Sequence, residues 1–199
     1  MPTRKTAVRS KRTKPSHKPD AARLFQDAVA FAARAHRHQI RKDGRTPYVS
    51  HVVRVALTVT QVFGCDDPVV LAAALLHDTI EDTTTDYDDL AERFGAEVAG
   101  CVAALTKNMT LPEEEREREY DERLARADWR VRLVKLADTY DNFCDVETSL
   151  KGVPGHEKHK AYKKCLRAIA LAAKDNEPAV RAAVAELKEL IATFQKRGR

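Results

Sequence analysis

Nine consecutive residues, Pro68 to Leu76 (PVVLAAALL), contain no side chain that carries charge or donates a hydrogen bond, and the next six are HDTIED. Asp66 and Asp67 before Pro68 read as a capping acid followed by a proline in the first turn, so the run is predicted to open a helix that continues through Asp82. A helix that is apolar around its whole circumference has no face to give to water and belongs at the centre of a helical core. His77, Asp78, Glu81 and Asp82 then fall where a polar group costs free energy unless a partner meets it. Paired charges, a metal ion or a substrate must meet them.

The remainder reads as helices around that one. From Asp20, the residues Leu24, Phe25, Ala28, Phe31, Ala32 and Ala35 recur at the 3.6-residue period. After the turn-forming KDGRTP, the stretch SHVVRVALTVTQVF supplies Val52, Val53, Ala56 and Leu57; its β-branched content also suits a strand, but no hairpin turn or companion strand follows. Further helices are predicted at 86–94, 96–106, 112–127 and 129–147, with Gly95 as a cap between the first two. Gly152, Pro154 and Gly155 mark a loop, and 156–174 and 177–195 form a closing pair. In the charge-dense 112–127 segment acids alternate with Arg116, Arg118 and Arg123, which reads as a solvated face. The expected fold class is all-α, a bundle of about eight to ten helices.

A length of 199 residues suits one domain with a sizeable core, and 43% apolar with 33% charged residues excludes a disordered chain and a membrane bundle. No apolar run approaches the roughly 20 residues that span a bilayer. The net charge of +5 invites a nucleic-acid reading until its location is considered. Residues 1–20 hold seven of the 35 basic side chains and one of the 30 acids, so the rest of the chain is one charge below neutral. Residues 1–19 are expected to be a disordered basic tail, capable of weak anion contact, and 20–195 the folded domain. No nucleic-acid partner is required, no membrane is implied, and a cytoplasmic monomer or homodimer is expected. Cys65, Cys101, Cys144 and Cys165 form no CxxC pair and are expected as buried reduced thiols.

Two further polar groupings interrupt apolar patterns. In RLVKLADTYDN, Leu133, Val134, Leu136 and Ala137 lead to Asp138, with Asp141 and Asn142 one turn on; His51 stands at the opening of its helix. One histidine, an adjacent His-Asp pair and a distant Asp offer two nitrogen and two oxygen ligands. That set suits Mn²⁺, Fe²⁺ or Zn²⁺ and is nitrogen-rich for Ca²⁺ or Mg²⁺. The spacing matches neither HExxH nor a zinc finger.

Four blocks together carry a resemblance: FAARAHRHQIRKDGRTPYVSH at 31–51, LAAALLHDTIEDT at 71–83, FG at 94–95 and VKLADTYDN at 134–142. In this order they resemble the hydrolase domain of the RelA/SpoT family, particularly its small stand-alone alarmone hydrolases, a branch of the HD superfamily of metal-dependent phosphohydrolases. The resemblance implies an HD-domain helical bundle over 20–195 and one Mn²⁺ held by His51, His77, Asp78 and Asp138. It implies Glu81 and Asp82 as catalytic acids, with Arg41, Lys42 and Asn142 near the nucleotide and Tyr48 either packing its turn or touching substrate.

Three positions depart from the family pattern. Val52 replaces a proline, His38 replaces a small residue and is expected to crowd or extend the nucleotide pocket, and Asp141 stands where a more neutral residue is frequent, which is expected to weaken affinity for a polyanion. The contacts to a 5′-diphosphate are not assigned within the Arg-rich 112–132 stretch.

The activity so implied is hydrolysis of guanosine 3′,5′-bis(diphosphate), and of its 5′-triphosphate analogue, at the 3′-pyrophosphate. A bound divalent ion acidifies water and polarises a phosphoryl oxygen, while Glu81 and Asp82 steer water and proton. The alternatives are another HD-superfamily nucleotide phosphohydrolase, such as a 5′-nucleotidase, and a catalytically silent helical binding module. The RKDG…TPY block favours the alarmone branch, and none of the ligands or catalytic acids is missing. The residues after Asn142 read as helices and are not expected to form a synthetase domain.

Overall fold

A computed structural model of the protein describes residues 21–148 and 155–197. The basic tail at 1–19 and the loop residues Gly152 and Pro154 lie outside the described residues. The elements are α1 (Ala21–Ala35), α2 (Val49–Leu57), α3 (Pro68–Leu76), α4 (Thr79–Asp82), α5 (Tyr87–Phe94), α6 (Ala96–Leu105), α7 (Glu113–Arg126), α8 (Trp129–Thr148), α9 (Gly155–Ala172) and α10 (Pro178–Arg197). A π-helical turn, Thr58–Val62, extends α2. Among the described residues there is no strand, only a bridge between Ile40 and Pro47, so the all-α helical bundle expected from the sequence is the fold observed. No described helix is long and apolar enough to cross a membrane.

The apolar run forms the hub. Asp67 caps α3 by accepting from the amides of Val69 and Val70, and Pro68 occupies the first turn. Val70, Ala72, Ala73, Ala74, Leu75 and Leu76 are inaccessible to solvent, because α3 packs against α1, α2, α6 and α8 at once. The helix does not continue unbroken to Asp82. The Thr79 hydroxyl donates to the Leu76 carbonyl (2.7 Å) and the His77 ring to the Ala74 carbonyl (2.9 Å), and such side-chain donors compete with the backbone ladder. The chain turns at His77 and Asp78, with Asp78 at φ −99° and ψ 0°, before α4 begins.

The solvated face expected on α7 is present, but the helix also has an inner face that its charge density does not announce. Glu117, Tyr120, Asp121 and Leu124 follow the helical period and face inward. Tyr120 and Leu124 are buried, while Glu117 and Asp121 grip Arg167 of α9 at 2.6 Å each. The solvated face is the opposite one, with Glu113, Glu114, Arg118 and Glu122 exposed. All four cysteines are free, and Cys65, Cys101 and Cys165 are buried as expected, whereas Cys144 is only partly buried.

Candidate metal centre

Three elements deliver the polar cluster. α2 supplies His51, the turn after α3 His77 and Asp78, and the middle of α8 Asp138. One ring nitrogen of each imidazole and one Asp138 oxygen lie within 4.8 Å of one another. His51 Nε2 is 3.3 Å from Asp138 Oδ1 and 3.7 Å from Asp78 Oδ2, and His77 Nε2 is 3.0 Å from Asp78 Oδ2. Both imidazoles are buried.

Hydrogen bonds behind the rings decide which nitrogen faces inward. His77 Nδ1 must carry its hydrogen, because its partner is the Ala74 carbonyl; in the neutral ring Nε2 therefore presents a lone pair, and, fully enclosed, it faces the carboxylates of Asp78 and Asp138, which offer it no donor. His51 Nδ1 donates to Asp141 Oδ2 at 2.6 Å, which again aims the Nε2 lone pair at the cluster. A backbone carbonyl behind one ring and a carboxylate behind the other is the support that metal-binding histidines receive.

The electrostatics agree. Burial opposes charge on both rings, but the surrounding carboxylates outweigh it and hold His51 and His77 above the ordinary histidine value. Burial likewise opposes ionisation of Asp78, yet His77 brings it down to about 2. Asp138 is held well below the usual carboxylate range, against its burial, chiefly by Lys135, whose Nζ lies 2.8 Å from Oδ2. Ionised carboxylates thus draw positive charge into the centre, either a proton on each ring or a cation that takes the proton's place on Nε2. A buried Nε2 that meets no donor, in a two-nitrogen, two-carboxylate set, fits a divalent transition metal.

The remaining residues singled out in the sequence surround this point. The Tyr48 hydroxyl donates to Asp78 Oδ2 at 2.5 Å. Asp82 on α4 is pushed up to about 6 by burial, reinforced by Asp78 and Glu81. Glu81 Oε2 accepts from the Lys107 amide (2.9 Å), which ties α4 to the chain following α6. Asn142 bridges, donating to Asp138 Oδ1 (2.6 Å) and accepting from Arg41 Nη2 (3.0 Å). Lys42 extends into solvent at 94% side-chain exposure, 3.6 Å from Glu157.

The RKDGRTPY segment is shaped locally. Asp43 accepts from the amides of Arg45 and Thr46 and the Thr46 hydroxyl, and Gly44 takes φ 73°. This tight turn lets Arg41 and Tyr48 face the same site. Asp82 has a brace of its own. Gln39 Nε2 donates to the Asp82 carbonyl (2.6 Å), and Gln39 Oε1 accepts from buried His36 (2.7 Å), whose ring lies 4.9 Å from that of Tyr48.

A cavity of 730 Å³ adjoins the centre, with Asp138, Asn142 and Lys135 in its wall. Eight cationic and six acidic side chains line it, including Arg41, Lys42, Lys107, Lys160, Lys164 and Arg167. Lys164 is lowered from its ordinary value by burial and by its neighbours Lys135, Lys107 and Lys160, a concentration of like charge that an anion relieves.

Two departures are corrected here. His38 is not in the cavity wall; it is exposed and accepts from Arg37 Nε at 2.8 Å. Asp141 does not present charge to a polyanion, being buried behind His51 and paired with Arg54. Lys135, Arg54, Asp145, Lys164 and Arg167 join the residues of the site without having stood out in the sequence. Only Lys135 had a local signal, standing three residues before Asp138 on the same helical face.

Two imidazoles and two carboxylates converging inside a helical bundle, beside a cation-lined cavity, define a helical metal-centre protein. Residues 28–176 match the family model described as HD domain, and the chain belongs to that family. It is 46% identical over 128 residues to the guanosine-3′,5′-bis(diphosphate) 3′-pyrophosphohydrolase MESH1 of Homo sapiens, covering 64% of this chain and 71% of that one. Against the protein of the same name from Drosophila melanogaster it is 42% identical over 127 residues, covering 63% and 70%. A solved structure described as "A metazoan ortholog of SpoT hydrolyzes ppGpp and plays a role in starvation responses" superposes with a TM-score of 0.73 at 30% identity, covering 92% of this chain and 99% of that one.

Proposed function

We propose that the protein is a metal-dependent guanosine-3′,5′-bis(diphosphate) 3′-pyrophosphohydrolase, with one Mn²⁺ per chain at His51, His77, Asp78 and Asp138. It releases pyrophosphate and GDP, or GTP from the 5′-triphosphate analogue. The observation that carries this reading is the buried His77 Nε2, which meets carboxylate oxygens and no hydrogen-bond donor, in a centre that opens on a nucleotide-sized, cation-lined cavity. The names borne by the relatives supply the nucleotide.

A divalent ion in this set supplies Lewis acidity toward a phosphoryl oxygen and acidifies water. The chain's own groups do the rest. Water attacks the phosphorus joined to ribose O3′, the P–O3′ bond breaks, and O3′ leaves with the electron pair and takes up a proton. Asp82, raised to about 6, is suited to accept the proton that water loses. Glu81, with one oxygen fixed by the Lys107 amide, orients that water through the other. Tyr48 and Lys135 hold the carboxylates of Asp78 and Asp138 in place. Arg41 and Asn142 bound the nucleoside, Lys42 reaches its charge from the rim, and Lys107, Lys160 and Lys164 receive the 5′-phosphates.

Purified protein with Mn²⁺ is incubated with the guanosine bis-diphosphate and with a panel of 5′-nucleotides, following pyrophosphate and orthophosphate separately. Pyrophosphate formed one-for-one with GDP is expected. Orthophosphate as the sole primary product, or turnover confined to 5′-monophosphates, overturns the assignment.

A further inference from the structure

We propose that Arg54 is a positioning residue for the metal centre. It locks the Asp141 carboxylate behind His51 and so sets how tightly a divalent cation is held. The proposal rests on the metal-centre reading above.

His51 and Arg54 stand one turn apart on α2, and Asp138 and Asp141 one turn apart on α8, so two short ladders meet where the helices pack. The first rung joins His51 Nε2 to Asp138 Oδ1 at 3.3 Å, inside the centre. The second lies behind it. Asp141 Oδ2 accepts from His51 Nδ1 (2.6 Å) and Arg54 Nη2 (3.0 Å), and Asp141 Oδ1 accepts from Arg54 Nε (2.6 Å).

Asp141 has a side-chain exposure of 5%, so both oxygens must be satisfied by protein. The Arg54 fork satisfies them bidentately, and that leaves one orientation of the carboxylate, the one in which Oδ2 meets His51 Nδ1. Arg54 is itself anchored from the far side. Its Nη2 donates to Asp145 Oδ1 (2.8 Å), and Asp145 Oδ2 accepts from Arg41 Nη2 (2.6 Å). The imidazole is therefore steered by a guanidinium that does not meet it directly. Arg54 also accounts for how Asp141, a further buried carboxylate, is accommodated next to the centre.

The test is Mn²⁺ binding to the full chain by isothermal titration calorimetry, without nucleotide, for wild type, Arg54→Met, Asp141→Asn and the double variant, with thermal unfolding monitored alongside. Asp141→Asn is expected to weaken Mn²⁺ affinity about 10–100-fold, as loss of a ligand's outer support does, and Arg54→Met about tenfold. The double variant is expected to bind no more weakly than Asp141→Asn, because Arg54 acts through Asp141. Wild-type affinity in Arg54→Met, or a double variant weakened by the product of the two single effects, overturns the proposal. If Arg54→Met fails to fold, Arg54→Lys carries the test: it retains charge but not the fork, and unchanged affinity there overturns the proposal equally. Failure of the wild-type chain to bind Mn²⁺ overturns the metal-centre reading itself, whereas tight wild-type binding indifferent to Arg54 overturns only this inference.

Discussion

The two walls of the centre are built in opposite ways. α8 is one uninterrupted helix, and its polar residues Lys135, Asp138, Asp141, Asn142 and Asp145 recur at three- and four-residue steps along a single face. Each is met by a neighbour: Lys135 and Asn142 by Asp138, Asp141 by His51 and Arg54, Asp145 by Arg41. The opposite wall is a helix that ends. His77 and Asp78 lie in the turn between α3 and α4, and Glu81 and Asp82 on a single short turn. A continuous helix fixes charges relative to one another, and a broken one lets carboxylates be aimed. The α8 wall is therefore suited to holding Asp138 in a fixed network of charge, and the broken wall to aiming His77 and Asp78 at a cation and, on α4, the groups that handle the reacting water.

Substitutions on the two walls should divide accordingly. Asp138→Ala is expected to have the largest effect, abolishing both Mn²⁺ binding and turnover and, by leaving Lys135 unpaired, lowering stability by about 2 kcal/mol; calorimetry and urea unfolding measure the two parts. Should Asp138→Ala retain the metal, Asp138 is not one of its ligands. Asp82→Asn is expected to lower turnover about 10²–10⁴-fold while Mn²⁺ content, read by elemental analysis, stays at one per chain. Full activity in that variant removes Asp82 from the chemistry. Gln39→Leu deletes the brace on the Asp82 carbonyl, and a tenfold or smaller fall in kcat with KM unchanged is expected; a rise in KM alone would show that Gln39 serves binding.

Away from both walls, Asp67→Ala loses the α3 cap and the Arg130 contacts, and about 1 kcal/mol of stability with no change in Mn²⁺ affinity is expected. Burial raises the Asp67 carboxyl, but Arg130 and the two capping amides outweigh it and leave it below the ordinary value. Its contribution is thus present above the unfolded-state value near 3.8 and lost as the pH falls through the lower folded-state value. The wild-type and Asp67→Ala denaturation midpoints should converge in acid. Parallel curves down to the lowest pH would show that the cap contributes nothing through its charge.

The parts of this arrangement that were legible in the sequence were those with a local or compositional signal. An unbroken apolar circumference at 68–76 located the hub, and polar residues stranded at its end, with Asp138 ending a similar run, located the centre. The break at His77 was hidden, because it depends on the His77 ring and the Thr79 hydroxyl taking backbone carbonyls. The inner face of α7 was hidden by charge density, since only Tyr120 and Leu124 mark it and its acids turn inward to Arg167, 46 to 50 residues away in sequence. Arg54 and Asp141 were illegible for the same reason: 87 residues separate them, and nothing in either helix alone shows that they face each other.

The hub helix has a consequence beyond packing. Every peptide unit of α3 points its carbonyl toward His77, so the helix ends at the centre with a partial negative charge of about half an electron. No charged side chain along α3 offsets that field, and its low-dielectric surroundings screen it little. The most apolar segment of the chain thereby adds to the attraction for a cation at its tip, the one place where its backbone meets the site.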